Sequence, residues 1–459
     1  MNRNVKIIFA VVFALSLFSM YAKPKKSRAK DSAPEVQTKK TAEAAPVYKI
    51  EVKENNPEID SAKKRGFCFE VLSDEQVLQL EKGKKISWAY NWGTNPQDKK
   101  DGSSSKRIGA SGAQIAYFPM LWGDLSGERK LREYLKDNPQ VKYLLGFNEP
   151  NLTQRVGGCN LTPKQAAEIW PTLEAIANEF NLALVSPAMQ YSGDALSDGK
   201  IYGTPESWLD EFIKEYGALY GGKKPRMDYI ALHCYMDWPG AQVDFYCRHY
   251  SQMYGLKVFL TEFCAWENQN KQLNEMWQTQ SMAQKIESMD QDECVAGYAW
   301  FMADGNYGVL PWNSFFKGKA SPELSLAGLV YAYLSNSSGE EFFAEGKEIS
   351  VCSYVRSSNY EKEKKAPYGF PWKFLENDDA QYKEEFPLAL IFARRQYAEY
   401  QIDVPQKGSY EIQARYKLNG NWQTQSVQTV ELDAGKQTIN FSYESGGKLP
   451  VAWIKFIKK

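Results

Sequence analysis

From Gly66 onward the chain alternates short apolar runs with longer polar stretches of helical spacing. The runs cover 66–72, 86–92, 113–120, 142–148, 182–188, 227–235, 257–264 and 295–302, seven to nine residues each. That length suits strands buried on both faces, as in a parallel sheet. Amphipathic stretches at 124–136, 164–180, 205–220 and 271–289 predict helices between them. Thr162 and Pro163 mark one helix start: threonine can cap, and proline suits the first helical position, where an N–H would have no partner anyway. Eight strands alternating with helices over about 270 residues predict a closed (β/α)8 TIM barrel. Residues 93–112 break the rule, being rich in Gly, Ser and Lys without helical periodicity, so one helix is expected to be missing.

After about Ser338 the pattern changes to two-residue alternation. Ala398, Tyr400, Ile402 and Val404 interleave with Glu399, Gln401 and Asp403, and Tyr410, Ile412, Ala414 and Tyr416 repeat the pattern after a turn at 405–408. Further runs at 430–432, 439–441 and 451–457 complete the expectation of an antiparallel β-sandwich, with the boundary near 336–340. At the other end, Arg3 and Lys6 precede an apolar run from Ile7 to Phe18, and Ala22 offers a cleavage point. This is the layout of a secretory signal, too short to span a bilayer. Residues 23–64 are rich in Lys, Ala, Glu, Pro and Ser and are read as a disordered linker. The expected organisation is therefore a signal at 1–22, a linker at 23–64, a barrel at 65–337 and a sandwich at 338–459. A secreted, periplasmic or cell-surface monomer with no membrane span in the mature chain follows from that reading.

The 56 basic and 56 acidic side chains cancel, and no basic stripe marks a nucleic-acid surface. Aromatic residues stand out instead: 13 Trp, 28 Tyr and 23 Phe supply faces that pack cores or stack on sugar rings. Seven cysteines make no disulfide framework, and several lie in apolar runs as small buried hydrophobes. There is no CxxC or HExxH, and His233 and His249 match no zinc spacing, so neither metal nor cofactor is expected.

A parallel barrel carries its chemistry at the carboxyl ends of its strands. Two runs close on a glutamate there, the fourth at Asn148-Glu149-Pro150 and the seventh at Thr261-Glu262-Phe263. Hydrolysis of a glycosidic bond needs such a pair, one carboxyl to protonate the leaving oxygen and one to act at the anomeric carbon. Strands four and seven lie across a closed barrel, so their end groups can converge on one sugar.

Six strand-end segments, in order, resemble glycoside hydrolase family 128, a group of β-1,3-glucanases: Trp88-Ala89-Tyr90-Asn91-Trp92, Pro119-Met120-Leu121-Trp122, Gly146 to Asn151, Ser186-Pro187-Ala188, His233-Cys234-Tyr235 and Thr261-Glu262-Phe263. The resemblance implies a retaining hydrolase of β-1,3-glucan, with Glu149 as acid/base and Glu262 as nucleophile. It further implies that Asn148 holds a sugar hydroxyl, that Tyr235 holds the nucleophile, and that His233 and Asn91 line the site. Hydrogen bonding is expected to lower the pKa of Glu262 and mutual repulsion to raise that of Glu149. Trp92, Trp122, Trp266 and Trp300 all follow strand ends and are candidate platforms for a pyranose. The rear domain resembles the sandwich of family 6 carbohydrate-binding modules through 400–404, 408–416 and 432–435, with Trp372 and Trp422 as candidate platforms. Two other readings stay open: a non-catalytic polysaccharide-binding surface protein, and a barrel glycosidase acting on a β-1,4-glucan or mannan.

Overall fold

The computed structural model describes residues 44–53, 63–97, 104–236, 241–266, 274–305, 310, 312–335, 341–359 and 372–459. The expected signal at 1–22 and the boundary at 336–340 lie outside the described residues. Part of the expected linker is ordered structure. Strand β1 (Val47–Lys53) pairs antiparallel with a late strand, setting Tyr48 opposite Tyr443 and Ile50 opposite Phe441. The polar composition of 23–64 hid this segment, but Tyr48 and Ile50 alternate with exposed neighbours and are both buried. Tyr48 packs against Phe441 with ring centroids 4.3 Å apart and the rings tilted by 30°. Burying the two rings removes apolar surface from water, which favours docking of the strand.

All eight expected barrel strands are present: β2 (Arg65–Cys68), β3 (Trp88–Tyr90), β4 (Ala116–Tyr117), β5 (Tyr143–Leu144), β6 (Ala183–Met189), β7 (Tyr229–Cys234), β8 (Val258–Phe263) and β9 (Val295–Trp300). They form one parallel sheet in the order β4-β3-β2-β9-β8-β7-β6-β5, and a parallel bridge from Met120 to Leu145 joins its two ends. Among the described residues seven α-helices alternate with the strands: α1 (Asp74–Glu81), α2 (Glu128–Asp137), α3 (Pro163–Glu179), α4 (Pro205–Leu219), α5 (Ala241–Tyr254), α6 (Glu275–Gln291) and α7 (Leu326–Tyr333). Among the described residues none lies between β3 and β4, as expected. Helix α3 starts as predicted, with the Thr162 side chain accepting from Gln165 N and Gln165 returning a bond to the Thr162 backbone.

Aromatic rings plug the lower interior of the barrel. Trp88 stacks on Phe118 at 4.7 Å, Phe118 meets Tyr143 at 4.6 Å, and Tyr143 meets Phe259 at 5.2 Å. Gly66 makes this possible, because a Cβ there would stand 2.3 Å from the Trp88 ring. With the interior filled, the strand ends at the carboxyl face are what remains open to a ligand.

Ten further strands form the second layer system with β1: β10 (Phe343–Ala344), β11 (Ile349–Ser350), β12 (Arg356–Ser357), β13 (Lys373–Glu376), β14 (Leu388–Ile391), β15 (Tyr397–Val404), β16 (Gly408–Leu418), β17 (Asn421–Leu432), β18 (Gly435–Ser445) and β19 (Pro450–Lys458). They make one sheet ordered β1-β18-β15-β10, with β12 on β15, and another ordered β13-β14-β19-β16-β17, with β11 on β19. The predicted alternation holds in β16, where Tyr410, Ile412, Ala414 and Tyr416 are buried. Trp372 is fully buried and is core, not a loop platform. Trp422 is half-buried and donates to Asp378 at 2.7 Å.

Helix α6 joins the two systems. Its Glu287 is buried and accepts from Tyr354 Oη, from Ser357 Oγ at 2.8 Å and from Asn359 Nδ2 at 3.0 Å. Burial still outweighs those three donors and pushes its pKa up to about 7. Six of the seven cysteines are buried. Among the described residues no helix is long and apolar enough to cross a membrane.

Candidate active site

Glu149 and Glu262 meet at the carboxyl face. One oxygen of each, with a ring nitrogen of His233, lie within 4.8 Å of one another, and all three side chains are buried. The backbone arranges this locally. Pairing between β7 and β8 slips by one residue after Leu232, so His233 stands opposite Glu262 rather than Thr261. A one-residue slip reverses which face a side chain takes, and here it brings the imidazole and the carboxylate to the same side. Glu149 sits at φ +44° and Trp92 at φ +61°. Residues with a Cβ adopt such left-handed backbone uncommonly, and it persists where the surrounding structure holds it. Glu149 N donates to Ala188 O at 2.9 Å and Asn148 N to Trp122 O at 2.7 Å, which fixes the turn.

The two carboxylates have different surroundings. Glu262 Oε1 accepts from Trp92 Nε1 at 2.8 Å and lies 3.1 Å from Tyr90 Oη, whose single proton is shared with Thr261 O. Oε2 accepts from Tyr235 Oη and lies 3.4 Å from His233 Nδ1. Glu149 takes its partners on Oε1, from Gln190 Nε2 and from His233 Nδ1 at 2.7 Å. Burial pushes Glu262 above the usual carboxylate range, and the nearby Glu149 adds to this, while His233, Tyr235 and Trp92 pull it back. The expectation of a lowered Glu262 is thus overturned: desolvation at the strand end outweighs the donors. Burial opposes a charged His233, yet Glu262 and Glu149 together raise its pKa, so the imidazolium is favoured between two carboxylates. Two carboxylates and an imidazole could hold a cation by proximity alone. Here Glu262 is met on both oxygens by O–H and N–H donors, and His233 Nδ1 is directed at Glu149, an arrangement suited to holding and moving protons.

Residues 66–331 match the family model described as glycosyl hydrolase catalytic core. The chain belongs to that family. No curated protein matches this glycosyl hydrolase. Solved structures do. It is similar to a family 128, subgroup II, endo-β-1,3-glucanase from Pseudomonas viridiflava, with 30% identity, 59% of this chain and 97% of that chain covered, and a TM-score of 0.49. It is also similar to a subgroup II endo-β-1,3-glucanase from Sorangium cellulosum (24% identity, 59% and 97% covered, TM-score 0.46). A third is a subgroup I endo-β-1,3-glucanase from Amycolatopsis mediterranei in complex with laminaritriose (23%, 59% and 99%, TM-score 0.42). The family match ends before the sandwich begins.

The hydrolase brings most of the expected residues together, in altered roles. Trp92 reaches the site through its indole N–H on Glu262, not only through a ring face. Tyr235 holds Glu262, and Trp266 meets the Tyr235 ring edge-on at 5.4 Å. Trp122 is half-buried beside the fourth strand end. Asn148 is buried; its Nδ2 donates to Gly157 O at 3.3 Å, while its Oδ1 is buried and has no hydrogen-bond partner among the described residues. His233 Nε2 is likewise buried and unpartnered. Two expectations are corrected. Trp300 is fully buried and donates to Asn313 O at 2.8 Å, so it packs behind the strand and offers no platform. Asn91 is consumed by its own loop: its Nδ2 donates to Asn95 O and Pro96 O, and its Oδ1 accepts from Tyr117 Oη and Gly93 N. Sequence reasoning passed over Tyr90 and Gln190 as site residues. Tyr90 stood inside a quoted strand-end segment, and Gln190 two residues past another, where polarity alone gives little signal.

Proposed function

We propose that this glycosyl hydrolase cleaves β-1,3-glucan with retention of configuration, Glu262 acting as nucleophile and Glu149 as acid/base. The observation that carries the mechanism is the close approach of the two carboxylates, one oxygen of each lying within 4.8 Å of the other. Retaining enzymes hold their pair at about 5–5.5 Å, whereas inverting ones need about 6.5–9.5 Å to admit a water. In the first step Glu262 bonds to the anomeric carbon while Glu149 passes its proton to the departing oxygen. In the second, Glu149 takes a proton from water, whose oxygen bonds to the anomeric carbon from the face the leaving group vacated as the bond to Glu262 breaks. His233 keeps positive charge between the two groups as the proton moves, and Asn148 Oδ1 accepts from a sugar hydroxyl. The linkage is assigned from the six strand-end segments that resemble family 128.

Export belongs to the same proposal. It rests on Arg3, Lys6 and the apolar run from Ile7 to Phe18, and it puts a monomer outside the cytoplasm, where polymeric glucan is met. A carbohydrate-binding role for the sandwich would fall to Trp422, since Trp372 is buried.

Laminarin, cellulose oligomers and mannan, each incubated with wild type and Glu262→Gln, test the reading. Release from laminarin by wild type alone, with the β-anomer first by proton NMR, is expected. Cleavage of only a β-1,4 polymer would overturn the linkage, an α-anomer first would overturn the mechanism, and no cleavage of any would favour a binding protein.

A further inference from the structure

The two oxygens of Glu149 are not equivalent. Oε1 already accepts from Gln190 Nε2 and His233 Nδ1. A proton placed there would face two N–H donors, so the acidic proton belongs on Oε2. Among the described residues no donor reaches Oε2. The neighbour it does face is Gly157: a Cβ at that position would stand 3.9 Å from Oε2 and within 4 Å of nothing else. Beside Oε2 the Cβ position of Gly157 is therefore unfilled, and bare backbone borders the carboxyl group there.

That backbone is held in place. Gly157 takes φ +102°, a conformation reached cheaply only without a Cβ. Its carbonyl accepts from Asn148 Nδ2 at 3.3 Å and its N–H donates to Gln154 O at 3.3 Å. Thr153 N is anchored on Asp194 Oδ2 at 3.1 Å, and Cys159 N on Asn148 O at 2.9 Å. The loop thus starts and ends on fixed points around the acid/base.

We propose that Gly157 forms the floor of the subsite for the sugar on the leaving-group side of the scissile bond, and that its missing side chain admits that sugar to Oε2. The proposal rests on the glucanase reading above. When the bond from the anomeric carbon to the glycosidic oxygen breaks and Glu262 forms its own bond to that carbon, the Oε2 proton passes to the departing oxygen. That oxygen must come within about 2.6–3.2 Å of Oε2 with a pyranose ring attached. A side chain at 157 would occupy the ring's place. The water of the second step is small enough to reach Oε2 past it.

The test compares laminarihexaose with β-laminaribiosyl fluoride, whose leaving group is one atom that needs neither a ring-sized space nor an acid proton. Gly157→Asn and Gly157→Ala are both measured, asparagine because it tolerates positive φ better than most residues. The ratio of kcat/KM for hexaose to that for fluoride is expected to fall about 100-fold, the order of loss that a displacement of about 1 Å produces. An unchanged ratio in a variant that turns over fluoride overturns the proposal. Loss of fluoride turnover in both variants overturns it too, because position 157 would then shape the nucleophile's half of the site. A wild type that releases nothing from either substrate overturns the glucanase reading instead.

Discussion

Replacing Tyr235 by phenylalanine removes one hydroxyl from Glu262 and keeps the ring that meets Trp266 at 5.4 Å and Phe301 at 5.5 Å. Oε2 is left with His233 Nδ1 at 3.4 Å, because Tyr90 and Trp92 both serve Oε1. A hydrogen bond to a charged group contributes about 1.5–3 kcal/mol. Each 1.4 kcal/mol, roughly, is a factor of ten in ionisation. The sign follows from the donor's preference for the carboxylate: Tyr235 pulls Glu262 down against burial, so losing it raises Glu262 further. Attack requires the ionised form, and on the acid side of the profile activity tracks the ionised fraction. There kcat/KM for laminarihexaose should fall by about 10- to 150-fold, with the acid limb displaced to higher pH and the deficit shrinking as pH rises. A pH profile of kcat/KM for both enzymes measures this. A loss of the same size at every pH, or a limb that does not move, would refute the assignment of Tyr235 as the group that keeps Glu262 ionised.

Glu149→Gln removes the transferable proton and should lower laminarihexaose turnover by about 10²- to 10⁴-fold, the range for loss of a general acid, as read by steady-state kinetics. Glu287 should make stability pH-dependent. It is raised from 4.5 to about 7 when folded, so the native state holds a proton the unfolded chain has released, and stability declines as pH rises through that window. The decline attributable to this group is about 3 kcal/mol, and unfolding midpoints against pH should show it in wild type and lose it in Glu287→Gln. Tyr48→Ala should cost about 3–5 kcal/mol in urea unfolding, as for other large buried aromatics; a loss below about 1 kcal/mol would place 47–53 outside the core.

Much of this architecture is written in the sequence. A strand buried on both faces must be apolar throughout, so Phe259-Leu260 before Thr261-Glu262 and Leu144-Leu145 before Asn148-Glu149 announce both the barrel and the points where it turns to chemistry. The capped start of α3 and, among the described residues, the helix absent before Ala113 are equally local, decided by neighbours in sequence. Tertiary structure decided what depends on distance in space. The strand at 47–53 acquires its partner from residues nearly four hundred positions away, so nothing local could reveal what it pairs with. Trp92 and Trp300 both follow strand ends, yet packing sends one indole N–H to Glu262 and the other to a backbone carbonyl behind the sheet. The ionisation of Glu262 reflects a sum of burial, a second carboxylate, an imidazole and several donors contributed by strands that meet only when the barrel closes. Residue type names the groups able to react, whereas solvent exclusion and the register of neighbouring strands set which of their atoms stay free to do so.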